Sequence, residues 1–481
     1  MKAGQPILPA LSPDTLWWWG RTLLAFGLAL GLGATLYTAW IAPEFIALVP
    51  LVIVALGAAV LLFQYPLANL AVVLAGFVLI TDHDPGIQAK EVLYGTYFLA
   101  YLTHWFFTRF ILSRERHVRM PEEKALLAFL VWITASWGLT LLFDGNLTWA
   151  FSEWLALVMT AMYFPVKEAF VRYRHGPIVI LGALLWIGFF VATRNLIQYQ
   201  TQIALVVASA GSKGSMRVMT NDNLLMIASV IGFTLLIFSR SVKTGLASLA
   251  YLLLVLAGLI LTLSRTYWIT FVVGAFVLFL LADSQHRRRI FALGAIGACG
   301  LVVVGAVFFG DVLMVIFSGL VDRLSTLSGS ATRDISLLSR VYESRAVFER
   351  ILSNPVLGYG PGVPFHFYDV LKQVTLEPTF IHNGYLSLWY RFGLIGLLLV
   401  LFVWSAAVGR GVRAFRVRTA PLLPRLCAVG AVCVLSATTL SALTSNPFHL
   451  DDSTFLFGLL TGMAGGAWER VHLHALEEAA P

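Results

Sequence analysis

Residues 246–263 read LASLAYLLLVLAGLILTL, and residues 290–309 read IFALGAIGACGLVVVGAVFF. Both are apolar on every face, with neither the alternation of a half-buried strand nor the single stripe of a surface helix. A run of roughly 20 such residues crosses a bilayer as an α-helix, whereas a barrel strand would alternate over about ten residues. The same texture recurs from one end of the chain to the other. Spans are predicted at 22–41, 45–63, 67–80, 92–112, 125–143, 149–166, 178–195, 222–239, 245–263, 266–283, 290–309, 384–409, 426–443 and 453–470. About 14 helices of roughly 20 residues each leave about 200 residues for loops and tails. The expected fold is an all-α polytopic membrane protein, with 1–481 a single transmembrane domain.

Composition agrees. Of 481 residues, 59% are hydrophobic and only 12% charged, against about 25% charged in a water-soluble domain. That excludes a soluble enzyme, a fibrous protein and a disordered chain. Cys299, Cys427 and Cys433 fall in apolar runs at spacings of neither a disulfide framework nor a metal site, so they read as small buried hydrophobes. The net charge of +8 is not a nucleic-acid footprint, because its distribution follows the loops. Alternate connections are basic: Arg114, Arg116, Arg119 and Lys124; Lys167, Arg172 and Arg174; Arg240 and Lys243; Arg287 to Arg289; Arg410, Arg413, Arg416, Arg418 and Arg425. The positive-inside rule places these in the cytoplasm, and with Lys2, Arg21 and Arg470 it places both termini there too. The first apolar run is too long for a signal peptide and reads as an uncleaved helix with Trp17, Trp18 and Trp19 at the interface.

Two external segments interrupt the short loops. One is 198–221, with Lys213 and Arg217; the other is a large loop over 310–383. In the second, Leu338, Val341, Tyr342, Val347, Phe348, Ile351 and Leu352 fit an amphipathic helix that could rest on the membrane surface, with Arg345 and Glu349 at i,i+4 on its wet side. Asn354-Pro355 then stops the helix and Gly358-Tyr359-Gly360-Pro361-Gly362 makes a tight turn.

External arginines run against the charge rule, so each needs a reason. Arg194 ends one span and Arg265 lies in the connection Ser264-Arg265-Thr266; either alone reads as a snorkelling anchor. Together with Arg340 and Arg345 in the large loop, they offer forked, permanently charged donors that match phosphate oxygens. His382 stands where the large loop re-enters the membrane. A histidine there can accept a hydroxyl proton near neutral pH, or can merely sit at a helix start. Asp82, His83 and Asp84 read as a solvated turn, with a weak ion site as the alternative, and His449 with Asp451 and Asp452 as a solvated loop, with acid-base or acceptor-binding help as the alternative. Arg391, about two turns beyond His382, either faces the same cavity or snorkels outward. The external carboxylates Asp311, Asp322, Asp334 and Asp369 form no Asp-x-Asp triplet that would suggest a metal site.

His382-Asn383-Gly384-Tyr385-Leu386, followed by Arg391-Phe392-Gly393-Leu394-Ile395-Gly396, resembles the signature of the bacterial O-antigen ligase and O-antigen polymerase superfamily. Ser339-Arg340 with Asn354-Pro355-Val356-Leu357-Gly358-Tyr359-Gly360-Pro361-Gly362 is similar to its arginine-bearing helix and Asn-Pro-x-x-Gly-x-Gly turn, and Ser264-Arg265-Thr266 to its Ser-Arg element. The likeness runs from roughly Leu263 to Gly396. It implies an inverting, metal-independent glycosyl transfer without cofactor, at the periplasmic face of the inner membrane, in O-antigen or exopolysaccharide assembly. The donor would be an undecaprenyl-diphosphate-linked oligosaccharide, and the acceptor a lipid-linked glycan, lipid A-core or a protein. Membrane lipids, and a chain-length regulator, are the further partners it suggests. His382 would be the base, Arg265 would bind the diphosphate, and Arg194, Arg340, Arg345 and Tyr385 would be further substrate contacts.

The chief rival is a secondary transporter or lipid-linked-sugar flippase. Transporters place ionisable residues near the midplane on broken helices, whereas the spans here read as nearly free of charge in their middles. A scaffold subunit would need neither base nor arginines at one face. Between polymerase and ligase, the span count tilts the reading to a polymerase.

Overall fold

The computed structural model of the protein describes residues 62–81, 89–113, 118–209, 221–262, 264–295, 335–369, 373–376, 378, 380–449 and 451–479. Outside them lie the expected span 22–41, nearly all of 45–63 and most of 290–309, together with Trp17 to Trp19, Asp82 to Asp84, Lys213, Arg217, Cys299, Asp311, Asp322 and Asp334. The chain falls into two compact units, Met1–Val73 with Gly95–His117, and Leu74–Tyr94 with Val118–Pro481. In the first, the Tyr97 hydroxyl donates to Asn69 Oδ1, and the Phe63 and His104 rings meet edge to face. The site described below lies wholly in the second.

In chain order the helices are α1 (Pro66–Gly76), α2 (Ala89–Phe106), α3 (Pro121–Leu142), α4 (Leu147–Arg172), α5 (Gly176–Ser209), α6 (Asp222–Ile237), α7 (Val242–Leu261), α8 (Arg265–Leu281), α9 (Ile335–Ile351), α10 (Gly384–Arg416), α11 (Leu422–Ser441) and α12 (Asp451–Ala479). Among the described residues six are long and apolar enough to cross a membrane: α3, α4, α5 over Gly176–Gln198, α7, α10 and α11. Pro66–Leu79, Asp222–Ile237 and Thr266–Leu281 are apolar but shorter. The protein is a helical, multi-pass membrane protein. Among the described residues its strands are β1 (Phe367–Asp369) and β2 (Val374–Leu376), an antiparallel hairpin pairing Phe367 with Leu376. Cys427 and Cys433 are buried free thiols.

α12 falls short of the lipid-crossing criterion for a physical reason: residues 453–467 are buried on every side, so the helix needs no lipid-compatible surface. It packs on α4 through Gly458, Gly462 and Gly466, one helical face of glycines. A Cβ at Gly458 would lie 2.7 Å from the Thr160 carbonyl oxygen, one at Gly462 2.7 Å from that of Tyr163, and one at Gly466 3.0 Å from that of Lys167. Small residues at this spacing let two backbones touch, which is how membrane helices gain packing energy without a hydrophobic drive.

The helix ends sort into two sets. At one end Lys167 pairs with Glu123 and, at 2.7 Å, with Glu469, while Arg410 pairs with Glu122. Glu123 also accepts the Arg119 and Met120 amides, closing the first turn of α3. Arg289 reaches the Ser239 carbonyl and Arg425 that of Phe415, so the basic connections gather here. At the other end lie the starts of α4, α8, α10 and α12 and the folded part of the large loop. Val347, Ile351, Tyr359, Val363, Phe365, Phe367, Ile381 and Tyr390 form its core. α9 turns Glu343, Val347 and Ile351 inward, at i, i+4 and i+8. Val341, Tyr342, Phe348 and Leu352 of the expected apolar stripe face outward.

The turn after α9 repairs a broken helix. Gly393, at φ +64°, interrupts α10, and its Cβ position is occupied by the Val356 carbonyl, so only glycine fits. The interruption frees backbone groups that a membrane cannot hydrate. Tyr359 N donates to the Tyr390 carbonyl at 2.9 Å, Gly360 N to that of Arg391 at 2.8 Å, and Trp132 Nε1 to that of Phe392 at 2.8 Å. Leu394 N donates to the Pro355 carbonyl at 2.9 Å. Gly358, at φ +77°, is the bend that brings the turn against the break.

Candidate active site

His382 precedes α10, whose first amides are capped by Asn383: its Oδ1 accepts from Tyr385 N at 3.0 Å and Leu386 N at 3.1 Å. Glu343, from the inward face of α9, takes His382 with both oxygens. Oε1 accepts the His382 amide and Oε2 lies against Nδ1, each at 2.7 Å. The Phe380 ring meets the imidazole edge-on, centroids 5.0 Å apart at 89°. Glu343 is 6% exposed and His382 40%.

The connection between α11 and α12, residues 442–449, gathers the rest. The Ala442 carbonyl accepts Gly384 N at 2.8 Å. That of Thr444 accepts Arg340 Nη1 at 2.9 Å, and Ser445 Oγ lies 3.0 Å from the Tyr267 hydroxyl. Asn446 Nδ2 donates to the Ile381 carbonyl at 2.8 Å. One loop thus ties together Arg340, the first turn of α8 that Arg265 opens, and the residue before His382. Arg265's side chain, like those of Asp369, Asp451 and Asp452, lies outside the described ones.

Arg194 is held at Thr81: its guanidinium donates to Thr81 Oγ1 at 3.0 Å and to the Thr81 carbonyl at 3.2 Å, an oxygen Asn221 Nδ2 also holds. Tyr385 places its hydroxyl on the Thr439 carbonyl at 2.8 Å, in the last turn of α11 before the loop. Arg345 is 78% exposed and bonded to Glu349 at 3.0 Å, as the i,i+4 spacing predicted. Two residues past Glu343, about 200° around the helix, it points away from His382.

Two sequence expectations are refined. The spans, nearly free of charge in their middles as read, are not so in their second turns: Glu153 of α4 and Arg391 of α10 form a buried ion pair, Arg391 Nη2 donating to Glu153 Oε1 at 2.7 Å, with Arg391 only 3% exposed. Glu153 Oε2 also accepts Gly362 N at 2.9 Å, locking the glycine turn to α4. Nor is His449 solvated. Its side chain is 22% exposed, with Nδ1 3.7 Å from Glu153 Oε1 and its ring edge-on to the far partner of His382, Phe380, at 4.9 Å. Burial and then the Arg391 guanidinium push this imidazole down to about 4, against the opposing pull of Glu153. A pass that matched lone carboxylates with lone arginines across spans would have paired Glu153 with Arg391. Glu343 carried its own signal, a carboxylate at i+3 from Arg340 on one face of α9. Among the described residues no three His, Cys, Asp or Glu side chains converge to hold a metal ion.

Residues 250–401 match the O-antigen ligase family model, Wzy_C. The O-antigen ligase and polymerase superfamily's domain is therefore present in this chain, over the stretch that contains α8, α9, the glycine turn, His382 and the break in α10. No curated protein matches the chain. The O-antigen ligase family is one of membrane glycosyltransferases working between a lipid-linked glycan donor and an acceptor, and the pieces brought together by the 442–449 loop lie inside the matched segment, while the loop itself lies beyond it.

Proposed function

We propose that the protein transfers a glycan from undecaprenyl diphosphate to an acceptor hydroxyl at the periplasmic face of the inner membrane, with inversion and without a metal ion. The observation that carries this reading is the 442–449 loop, which holds Arg340, the start of α8 and the approach to His382 together. In the step proposed, the acceptor hydroxyl gives its proton to His382 Nε2 as its oxygen bonds to the anomeric carbon. The bond from that carbon to the diphosphate breaks on the opposite face, and undecaprenyl diphosphate leaves with the electron pair. Arg265 and Arg340 are suited to the charge that develops on the leaving oxygens, with Arg194, held at Thr81, a further substrate contact. Arg345 serves the surface rather than the transfer.

The acceptor divides two versions. The span count of the sequence favours a polymerase, which extends one lipid-linked glycan with another; the alternative is a ligase that moves the glycan to lipid A-core or to a protein. Purified protein given an undecaprenyl-diphosphate-linked repeat, with and without lipid A-core, decides between them. A ladder of products without lipid A-core is expected of a polymerase, and a transfer that needs lipid A-core of a ligase. Loss of both on His382→Ala, with normal insertion, is expected of the base; retained activity removes His382 from that role.

A further inference from the structure

We propose that Glu343 is a positioning residue, which fixes the tautomer and orientation of His382 so that Nε2 is the basic nitrogen; this rests on the transfer reading above. The argument begins with what a buried carboxylate requires. Removed from water, its oxygens must find donors inside the protein. Glu343 finds both on a single residue, the amide and Nδ1 of His382, each at 2.7 Å. The amide bond alone would tie the loop to α9. The second bond does something further. An ionised carboxylate only accepts, so the hydrogen it holds belongs to Nδ1, and the lone pair of the neutral ring is then on Nε2.

The surroundings leave Nε2 as the working edge. Phe380 stands perpendicular to the ring, and Asn383, the next residue, is committed to the amides of Tyr385 and Leu386. With Nδ1 against a carboxylate that is itself buried, the exposed part of His382 is the far edge, which carries Nε2. The rigidity comes from α9, whose inward face seats Val347 and Ile351 in the core of the loop and so places Glu343 one turn earlier on the same face. Carboxylate, imidazole and open edge are arranged as in a base that is oriented by a third group.

Glu343→Gln tests this, since the amide keeps the length and shape of the side chain but has one acceptor and one donor end. If its oxygen keeps the His382 amide, its NH2 faces Nδ1 and turns the ring to the Nε2–H tautomer, whose lone pair is on Nδ1 against the amide, so the open edge at Nε2 can no longer accept the proton. The expected result is a fall in kcat of about 10²- to 10⁴-fold, the scale of a carboxylate-to-amide change behind a catalytic histidine, with KM for the lipid-linked donor and detergent melting temperature near wild type. Glu343→Asp keeps the charge at shorter reach and is expected to recover more kcat than Gln. A mere tether predicts the reverse order, because Gln is the better mimic of shape. In 15N spectra of histidine-labelled protein, assigned with His382→Gln, the His382 signal is expected to pass from the Nδ1–H to the Nε2–H pattern in Glu343→Gln. Wild-type kcat in Glu343→Gln, the tether order of activities, or an unchanged tautomer would overturn the proposal. Wild-type protein that transfers nothing from any lipid-linked donor would instead overturn the transfer reading, and the proposal with it.

Discussion

Glu153 is the side chain on which most depends: two oxygens hold Arg391, the Gly362 amide and the approach of His449. An unpaired charge at this depth, about 9 Å along α4 from its start, would cost several kcal/mol, so truncating Arg391 alone is expected to be worse than losing a surface pair by a wide margin. His449 shows the same environment through protonation. Folded, its imidazole titrates at about 4; unfolded, near 6.5. The unfolded chain therefore binds more protons between those values. Stability rises with pH from about 4 to about 6.5 and is lost as pH falls through that window, by at most about 3.5 kcal/mol. Melting temperatures from pH 4.5 to 7 should flatten in His449→Gln relative to wild type; equal slopes would mean the imidazole is not held neutral. Sequence alone gave His382 through its motif, and Arg391 as a residue of undecided direction. Neither carboxylate was singled out: the signals were there, Glu343 at i+3 from Arg340 and Glu153 as a lone acid to match with Arg391, but their meaning comes from the helix packed against each, 238 residues away for Glu153 and Arg391.

At the scale of elements, two devices rest on glycine. The turn at Gly358 to Gly362 was readable as local punctuation, whereas the break at Gly393 lies in a run that reads as one continuous span. That one fills the other was not readable, since the bonds between them are long in sequence and set by tertiary packing. The glycine face of α12 went unread for a related reason: Gly458, Gly462 and Gly466 lie in a run that reads simply as a span, and their value lies in the backbone of α4 opposite. Gly462→Leu is expected to destabilise the protein strongly, since the first added carbon already lies 2.7 Å from the Tyr163 carbonyl oxygen. Gly409→Ala, on α10 with open space around it, is the control, expected to be neutral or stabilising by up to about 1 kcal/mol. Comparable melting temperatures for the two would remove the close-packing argument.

For the whole molecule, hydropathy and the alternation of basic connections anticipated the helical membrane architecture, and the structure collects Arg240, Arg289, Arg410 and Arg425 at the end away from His382. The outward turn of Val341, Phe348 and Leu352 was not foreseeable, because α9 is apolar on more than one side and only Glu343 and its partners select which side is inward. Orientation is open to direct measurement. A cysteine placed at Arg345 should react with a membrane-impermeant maleimide on intact spheroplasts, whereas one at Arg413 should react only after permeabilisation. The opposite pattern would invert the topology that the charge distribution predicts.

The 442–449 loop also imposes an order in time. Arg265, Arg340, Glu343 and His382 all leave the ribosome before the hairpin of α11 and α12 that holds their segments together. Each would be present in a nascent chain halted at residue 441, yet Arg340 would have no Thr444 carbonyl, Tyr267 no Ser445, and Ile381 no Asn446. On the proposed transfer, competence for chemistry would wait on a late insertion event, and a chain caught part-way into the bilayer would carry the proposed reactive groups without the means to use them.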